Sequence, residues 1–190
     1  MVVDRASKSE EVILGQRIRE LRAARNMTLT ELARQVGVSK SLLSQVERGS
    51  SNASIGVLRA VAAVLGIPFF QLFVSGQLEG NLVRRDQRQL LHVPGSPIKR
   101  ELLVPDLHRR MSLIIATLEP GQVSSPDAPT MHDGEECVYV LSGRIEVEAG
   151  DEHVILEEGD CLYFNARIPH RMQNVHDGLS QVLAVMADKS

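Results

Sequence analysis

The spacing of apolar residues changes near residue 80, and this change divides the chain into two parts with different folds. Before residue 80, apolar residues recur three and four positions apart, as they do on one face of a helix. After residue 80 come short β-rich runs separated by Gly, Pro, Asp and Asn at intervals of about ten residues, a pattern typical of a β-sandwich or barrel. The 190 residues are enough for two small domains, so we expect an all-α domain followed by an all-β domain.

The all-α domain is predicted to span residues 10–75 and to contain five short helices. Helix ends are marked by glycines that follow periodic runs, at Gly37, Gly49 and Gly66. Helix starts are marked by N-cap residues, at Thr28 (in a capping box with Glu31), Ser39 and Ser54. Pro68 can open the fifth helix, over the sequence FFQLF.

The remaining boundaries follow from composition. Residues 1–9 are predicted to be a flexible arm without fixed structure. A polar, glycine-containing joint predicts a linker at residues 76–81, and the all-β domain then fills residues 82–190.

The most specific motif in the first domain is MTLTELARQVGVSKSLLSQVERG, residues 27–49. One helix ends at Gly37 and the next begins three residues later, which is the tight join of a helix-turn-helix. The second helix of such a motif reads DNA in the major groove. The predicted DNA-binding residues come from this helix and its flanks: Thr28, Ser39, Lys40, Ser41, Ser44, Gln45, Arg48, Ser50 and Asn52.

These side chains divide into two expected roles. Gln45 can pair with adenine and Lys40 with guanine, because both lie on the predicted outer face of the second helix. Arg48, Ser50 and Asn52 lie at its far end and in the next loop, where phosphate contacts are expected. The alternative is a small helical bundle whose polar face is simply solvated.

With these residues in place, residues 10–75 resemble the lambda-repressor-like (XRE-type) helix-turn-helix family of phage and bacterial regulators. The stretch SKSLLSQVERG carries the most specific part of the resemblance. The resemblance implies a homodimer bound to a palindromic, double-stranded DNA operator.

The all-β domain contains a second group of residues with recognisable chemistry. The stretch TMHDGEECVYVLSG, residues 130–143, offers His132 and Glu136, and the stretch GDCLYFNARIPHRMQN, residues 159–174, offers His170. Two imidazoles and a carboxylate that converge inside a barrel suit a divalent metal such as Zn, Mn, Fe or Ni.

These two stretches resemble the two cupin motifs, and the resemblance spans roughly residues 82–188. It implies a double-stranded β-helix barrel in which His132, Glu136 and His170 match three metal ligands. Thr130 stands where the first histidine of the family's His-x-His pair belongs.

Three interpretations of the cupin residues follow. His132, Glu136 and His170 either bind an organic effector without metal, or hold a metal, or form a purely structural contact inside the barrel. Arg100 and Arg110 are further effector-binding candidates, because arginine binds carboxylate or phosphate with two hydrogen bonds. A solvated surface strand is the alternative for both arginines.

Charge and composition indicate the partners of the two domains and the location of the protein in the cell. Residues 1–80 hold ten Lys/Arg and seven Asp/Glu, whereas residues 81–190 hold eleven and seventeen and all six histidines. This asymmetry suggests different partners for the two domains. The N-terminus is polar, and no apolar run approaches the roughly 20 residues of a membrane span, so we expect a cytoplasmic protein without a membrane partner.

Helix-turn-helix followed by cupin resembles a class of bacterial transcriptional regulators. The leading hypothesis is a regulator whose cupin domain senses a small-molecule effector and also pairs the subunits. The alternatives are a metal-dependent cupin enzyme fused to a DNA-binding domain, and a repressor whose barrel serves only as a clamp. Thr130 in place of a metal ligand argues against catalysis, so we predict no enzymatic activity.

Overall fold

The structure, a computed structural model, describes residues 3–73, 81–93, 96–106 and 110–187. The chain divides into two compact units, Met1–Ser75 and Gly76–Ser190. The predicted linker at residues 76–81 lies outside the described residues except for Asn81. Within the described part, no helix combines the length and the apolar composition that crossing a membrane requires.

The first unit is helical. Its elements are α1 (Val3–Ala24), α2 (Leu29–Val36), α3 (Lys40–Glu47), α4 (Ile55–Leu65) and a 3₁₀ helix (Phe69–Phe73). The described residues of this unit therefore contain four α-helices, and the predicted fifth helix is a 3₁₀ turn. Its described residues form i→i+3 hydrogen bonds such as Gln71 N–H to the Pro68 carbonyl (3.0 Å), the pattern of a 3₁₀ helix.

Helix α1 begins at Val3, inside the segment for which the sequence predicted no fixed structure. Residues 3–14 contain neither glycine nor proline, and several of them are good helix formers such as Arg, Ala, Lys and Glu. Residues 3–14 therefore contain no glycine or proline that would interrupt the helix.

The predicted caps of the helix-turn-helix are present. Thr28 and Glu31 form a complete capping box, in which the Thr28 main-chain N–H donates to Glu31 Oε2 (2.8 Å) and the Glu31 N–H donates to Thr28 Oγ1 (3.2 Å). Gly37 ends α2 with φ of 80°, a left-handed conformation that glycine adopts without strain. Ser39 caps α3 by accepting from the Leu42 N–H (3.1 Å).

Close packing and one ion pair fix α3 against α1. Gly15 faces the carbonyl oxygen of Val46 so closely that an added Cβ would overlap it, which explains the glycine in the middle of α1. The Arg22 guanidinium donates to both oxygens of Glu47, at 2.7 and 2.9 Å, and to the Met27 carbonyl at 2.8 Å. The hydrogen bonds to Glu47 raise the pKa of Arg22. Together the contacts of Arg22 join α1, the start of the motif and the end of α3.

The second unit consists of antiparallel strands in two sheets. The strands are β1 (Gln89–Leu91), β2 (Lys99–Leu102), β3 (Met111–Leu118), β4 (Glu135–Ser142), β5 (Arg144–Ala149), β6 (Glu152–Glu157), β7 (Cys161–Asn165), β8 (His170–Asn174) and β9 (Ser180–Ala187). One sheet has the order β1-β2-β3-β9-β4-β7 and the other has the order β6-β5-β8. The stretch RIEVEAGDEHVIL has two alternating runs around a Gly-Asp pair, a pattern that predicts a hairpin. The structure confirms it as β5–β6, with a turn at Gly150, where φ is 62°.

Buried and exposed residues alternate along the strands, so each sheet has one face toward the core. In the six-stranded sheet the inward positions include Ala116, Val138 and Val182, and in the three-stranded sheet Ile145 and Val147. The two inward faces enclose the core, and the candidate site lies among the same inward positions.

Candidate functional site

Glu136 is placed on the inner face of the six-stranded sheet by strand register. It lies opposite Phe164 of β7 on one side and Met186 of β9 on the other, and all three residues are buried. The carboxylate therefore emerges in an otherwise apolar part of the interior, where a polar group requires partners.

His132 reaches Glu136 from the loop that precedes β4. Its main-chain N–H donates to the Ala166 carbonyl (2.9 Å), and the Ala166 N–H donates to the Gly134 carbonyl (3.1 Å). Gly134 has φ of 100°, which turns the chain between the histidine and the strand. The loop after β7 thereby holds His132 over Glu136.

Three predicted residues come together in the interior. The His132 Nε2 atom lies 3.1 Å from Glu136 Oε2, and the His170 Nε2 atom lies 3.6 Å from the same oxygen. One potential ligand atom from each residue lies within 4.8 Å of the others. The three residues are 4 to 6 % exposed, so the cluster is shielded from bulk water.

The two histidines are oriented by main-chain carbonyls. The Nδ1 atom of His132 lies 3.0 Å from the Asp133 carbonyl oxygen, and that of His170 lies 2.9 Å from the Ile168 carbonyl oxygen. A carbonyl oxygen only accepts, so both Nδ1 atoms carry the proton and a neutral ring directs its Nε2 lone pair toward Glu136. Outer contacts of this kind orient histidines that bind metals.

The donor set fits a divalent cation. Two Nε2 lone pairs and a carboxylate oxygen converge, and these acceptors repel one another unless a proton or a metal ion lies between them. Burial lowers the pKa of His170, although Glu136 opposes the shift, so burial favours the neutral imidazole that metals require. Zinc, manganese, iron and nickel all accept this combination of nitrogen and oxygen ligands.

Thr130, at the position of the absent histidine, belongs to the frame of the site. It forms an isolated β-bridge with His170, and its hydroxyl donates to the His170 carbonyl (3.3 Å). The hydroxyl proton is thus directed at the main chain. Three side chains offer ligand atoms in this cluster, which leaves coordination positions for other molecules.

The two predicted arginines are in different places. Arg100 lies on β2, half-buried, and opposite the buried residue Ala116. Arg110 is exposed and lies immediately before β3. Strand β3 begins at Met111, so Arg110 precedes the strand and is not held in its inward-facing register.

Eight of the nine predicted DNA-binding residues are exposed. Leu43 and Val46 are buried in the helical core, whereas Ser44 is half-buried. The remaining predicted residues are exposed: Thr28, Ser39, Lys40, Ser41, Gln45, Arg48, Ser50 and Asn52. The side chains of Thr28 and Ser39 also cap helices, and the Ser50 hydroxyl donates to the Gln45 carbonyl (3.1 Å), which fixes the loop after α3.

Some residues that shape these sites carry no signal of their own in the sequence. The Ile168 and Asp133 carbonyls orient the histidines, but any residue provides a carbonyl. Arg167, at a position where the cupin motif usually has glycine, donates to Asp133 (3.0 Å) beside His132.

A helix-turn-helix unit with an exposed polar α3, followed by a two-sheet β unit with a buried His-Glu-His cluster, defines a class of protein. The class is the DNA-binding transcriptional regulator that carries a cupin domain. Comparisons with known proteins agree with this assignment for both parts of the chain.

Residues 18–72 match the helix-turn-helix family and residues 114–186 match the cupin domain family. The HTH-type transcriptional regulator PuuR of Escherichia coli is 23% identical over 172 residues, which are 90% of this chain and 92% of PuuR. The HTH-type transcriptional regulator SinR of Bacillus licheniformis is 40% identical over 83 residues, which are 38% of this chain and 75% of SinR.

A solved transcriptional regulator of the HTH_3 family from Vibrio cholerae shares the fold. The alignment covers 97% of this chain and 99% of that chain, with a TM-score of 0.64 and 23% identity. The protein belongs to the HTH-type transcriptional regulators of the XRE type with a C-terminal cupin domain. It is a transcriptional regulator that binds DNA.

Proposed function

We propose that the protein is a cytoplasmic, homodimeric regulator whose cupin unit senses a small-molecule effector through a divalent metal ion held by His132, Glu136 and His170. The observation that carries this proposal is the convergence of two histidine Nε2 atoms on one buried carboxylate oxygen, at 3.1 and 3.6 Å. When bound, the ion supplies a positive charge and open coordination positions to which an effector can attach.

The geometry favours recognition of a ligand. Thr130 is engaged with the main chain of His170, so the cluster provides three side-chain ligands and an effector can complete the coordination. Binding changes DNA affinity only if the effector prefers one arrangement of the DNA-binding units over another. An enzyme with the same ligand set would turn over a substrate, so measured turnover by the metal-loaded protein would contradict this proposal.

A second copy of the chain is the proposed partner of the cupin unit. On the outer side of the six-stranded sheet, apolar residues alternate with the buried ones and align across four strands. We call this the outer apolar face; it consists of Leu113, Ile115, Cys137, Tyr139, Tyr163, Leu183 and Val185. Pairing through this face would cover apolar surface that is otherwise in water, and it would supply the two DNA-binding units that a palindromic operator requires.

Effector binding can change operator affinity by changing the distance between the two recognition helices of the dimer. Two recognition helices must lie about 34 Å apart, one turn of DNA, to enter successive major grooves. An effector that stabilises a different spacing of the two units therefore weakens operator binding, and one that stabilises the matching spacing strengthens it.

The proposal is tested with the full chain and an operator selected from random DNA. Operator affinity is measured after metal removal and after reloading, across a panel of small metabolites, for wild type, His132→Ala and the control His153→Ala. His153 is exposed on β6, outside the cluster. We expect His132→Ala to bind the operator within about twofold of wild type but to lose the response, and His153→Ala to keep it.

Two results would count against this function. If His132→Ala responds to metal and effector as wild type does, the cluster is not the sensor. If wild-type protein keeps the same operator affinity through metal removal and the whole panel, the barrel acts only as a structural clamp.

A further inference from the structure

Arg100 occupies an inward position of β2 that is surrounded by apolar residues. Ile98 and Leu102, two positions away on either side, are 4 % and 0 % exposed, and the cross-strand partner Ala116 is buried. Residues two apart share one face of a strand, so the Arg100 side chain leaves β2 toward the core. The fold therefore places a cation among positions that are otherwise apolar.

The hydrogen-bond partners of Arg100 are neutral. Its Nη1 donates to Ser96 Oγ (2.9 Å) and to the Ile98 carbonyl (3.3 Å), and its Nη2 donates to the Ser124 carbonyl (3.3 Å). Across the described residues, no carboxylate forms an ion pair with this guanidinium. Burial lowers the pKa of Arg100 to about 10, which reflects the cost of keeping its charge away from water.

Other arginines of the same unit do have carboxylate partners. These pairs are Arg144 with Glu157 (3.8 Å), Arg167 with Asp133 (3.0 Å) and Arg171 with Glu148 (2.6 Å). More than a third of each of these three arginine side chains is exposed to solvent. An ion pair at such a position contributes little to stability. Arg100 is less exposed than these three arginines, and among the described residues its guanidinium is held by neutral groups, where a counter-charge would matter more.

The part of Arg100 that remains available has the shape that binds a carboxylate. A guanidinium has five N–H donors. Three are used by the neutral acceptors, which leaves the Nε–H and one Nη2 hydrogen among the described contacts. The same two nitrogens of Arg22 hold both oxygens of Glu47, at 2.7 and 2.9 Å.

Arg100 is also connected to the His-Glu-His cluster through one segment of chain. The Ser124 carbonyl accepts a hydrogen bond from Arg100, and the Ser124 main-chain N–H donates to the Met172 carbonyl of β8. Thr130, further along the same segment, forms main-chain hydrogen bonds with His170 of β8. His170 and Met172 are two residues apart, which on a strand is about 7 Å and on the same face. The main-chain segments that contact Arg100 and His170 are therefore paired with positions about 7 Å apart on β8, a distance that a ligand of a few carbon atoms can span.

We propose that the effector carries a carboxylate and that Arg100 binds it with the Nε–H and Nη2–H pair. This inference rests on the proposed sensing function and adds the chemical class of the effector. A carboxylate would supply the counter-charge that the interior guanidinium lacks. The other end of the same molecule would then face the histidine cluster.

The test uses the full, metal-loaded chain and matched pairs of small probes: acetate, succinate and glutarate, each beside its amide, together with inorganic phosphate. Binding is followed by thermal unfolding and by the ¹⁵N signal of the Arg100 Nε–H, assigned from its absence in Arg100→Gln. We expect at least one carboxylate to raise the melting temperature and shift this signal, and its amide to do neither.

Variants distinguish a specific contact with Arg100 from a general effect of positive charge on carboxylate binding. Arg100→Gln should weaken carboxylate binding about tenfold or more, because a hydrogen-bonded charge pair is lost. Arg144→Gln, at an exposed surface pair, should bind as wild type does. Arg100→Lys keeps the charge but not the paired donors, so it should bind less tightly than wild type; it also replaces Arg100→Gln if that variant fails to fold.

Several results would overturn the inference. It is wrong if an acid and its amide bind equally well. It is also wrong if the Arg100 variants bind the carboxylate as tightly as wild type does, or if phosphate is the only probe that binds. If neutral compounds alter operator affinity while no carboxylate binds, the inference is wrong and the sensing function stands. If no probe or metabolite alters operator affinity, sensing itself fails.

Discussion

Thr130 and His170 are joined by a pair of main-chain hydrogen bonds, from Thr130 N–H to the His170 carbonyl (2.8 Å) and from His170 N–H to the Thr130 carbonyl (2.9 Å). The Thr130 hydroxyl donates to the same His170 carbonyl at 3.3 Å. The residue at the position of the absent ligand thus holds a remaining ligand in place. The cluster of three side-chain ligands is therefore supported by Thr130 through the main chain of His170.

A histidine at position 130 should restore a fourth ligand. Residue 130 lies two positions before His132 in the chain and opposite His170, so Thr130→His places an imidazole beside the cluster. We expect zinc and nickel affinity, measured by calorimetry, to rise at least about tenfold. The control Thr130→Val removes only the hydroxyl, and should cost about 1 kcal/mol of unfolding free energy without changing metal affinity. Unchanged affinity in Thr130→His would show that position 130 does not face the ion.

Gln45 is exposed on α3, where a base contact requires it to be. Gln45→Ala should weaken binding to the selected operator by about 1–3 kcal/mol, because a bidentate contact to a base edge is lost. Binding to unrelated DNA, measured in the same titration, should stay the same. An equal loss on both kinds of DNA would contradict the base-reading role.

Arg48 ends α3 and is exposed, a position suited to a phosphate contact. Arg48→Ala should lower affinity for operator and unrelated DNA alike, because phosphates are common to both. The slope of log affinity against log salt concentration should become shallower by about one unit. A change in sequence preference with an unchanged salt slope would instead assign Arg48 to base contacts.

The Arg22–Glu47 pair should contribute strongly to the stability of the helical unit. Glu47→Gln keeps the side-chain volume but leaves a buried guanidinium without its counter-charge, since the two side chains are 15 % and 7 % exposed. We expect a loss of about 3 kcal/mol in unfolding free energy, measured by denaturant titration. Glu20→Gln changes a side chain that is 49 % exposed and 3.8 Å from Arg17, so it should cause a smaller loss than Glu47→Gln.

The outer apolar face predicts how the subunits pair. Tyr163, on β7, is 58 % exposed, and Tyr163→Glu should convert the dimer to a monomer in sedimentation velocity, because a charge would be buried in an apolar contact. Ile155, on β6 of the other sheet, is 59 % exposed and gives the matched control Ile155→Glu. A dimer that persists in Tyr163→Glu and dissociates in Ile155→Glu would place the interface on the other sheet.

The sequence predicted the parts of the fold that depend on neighbours in the chain. Capping at Thr28 and Ser39, the left-handed glycine at position 37 and the hairpin turn at Gly150 all involve residues within a few positions of one another. Such signals state where a helix or strand begins and ends. They did not indicate that α1 extends to Val3 or that the fifth element is a 3₁₀ turn, because helix ends fray and are often 3₁₀.

In the candidate site, too, the sequence indicated some features and the tertiary structure decided others. His132, Glu136 and His170 stood out because of their type and spacing, and the structure brings their side chains together. Sequence alone did not separate Arg100 from Arg110, since both lie in one basic stretch. Strand register decided the difference, because β2 turns Arg100 toward the core and β3 begins only after Arg110.

By itself, the sequence determined the two-part architecture, the helix-turn-helix and the residue types of the buried cluster, since periodicity and capping are local properties of a chain. Only the tertiary structure decided which nitrogen of each histidine faces Glu136, what Thr130 does and which arginine lies inside. Those facts depend on carbonyls and strands brought together from distant positions. A main-chain carbonyl has the same chemistry at every residue, so no sequence pattern marks the ones that orient the site.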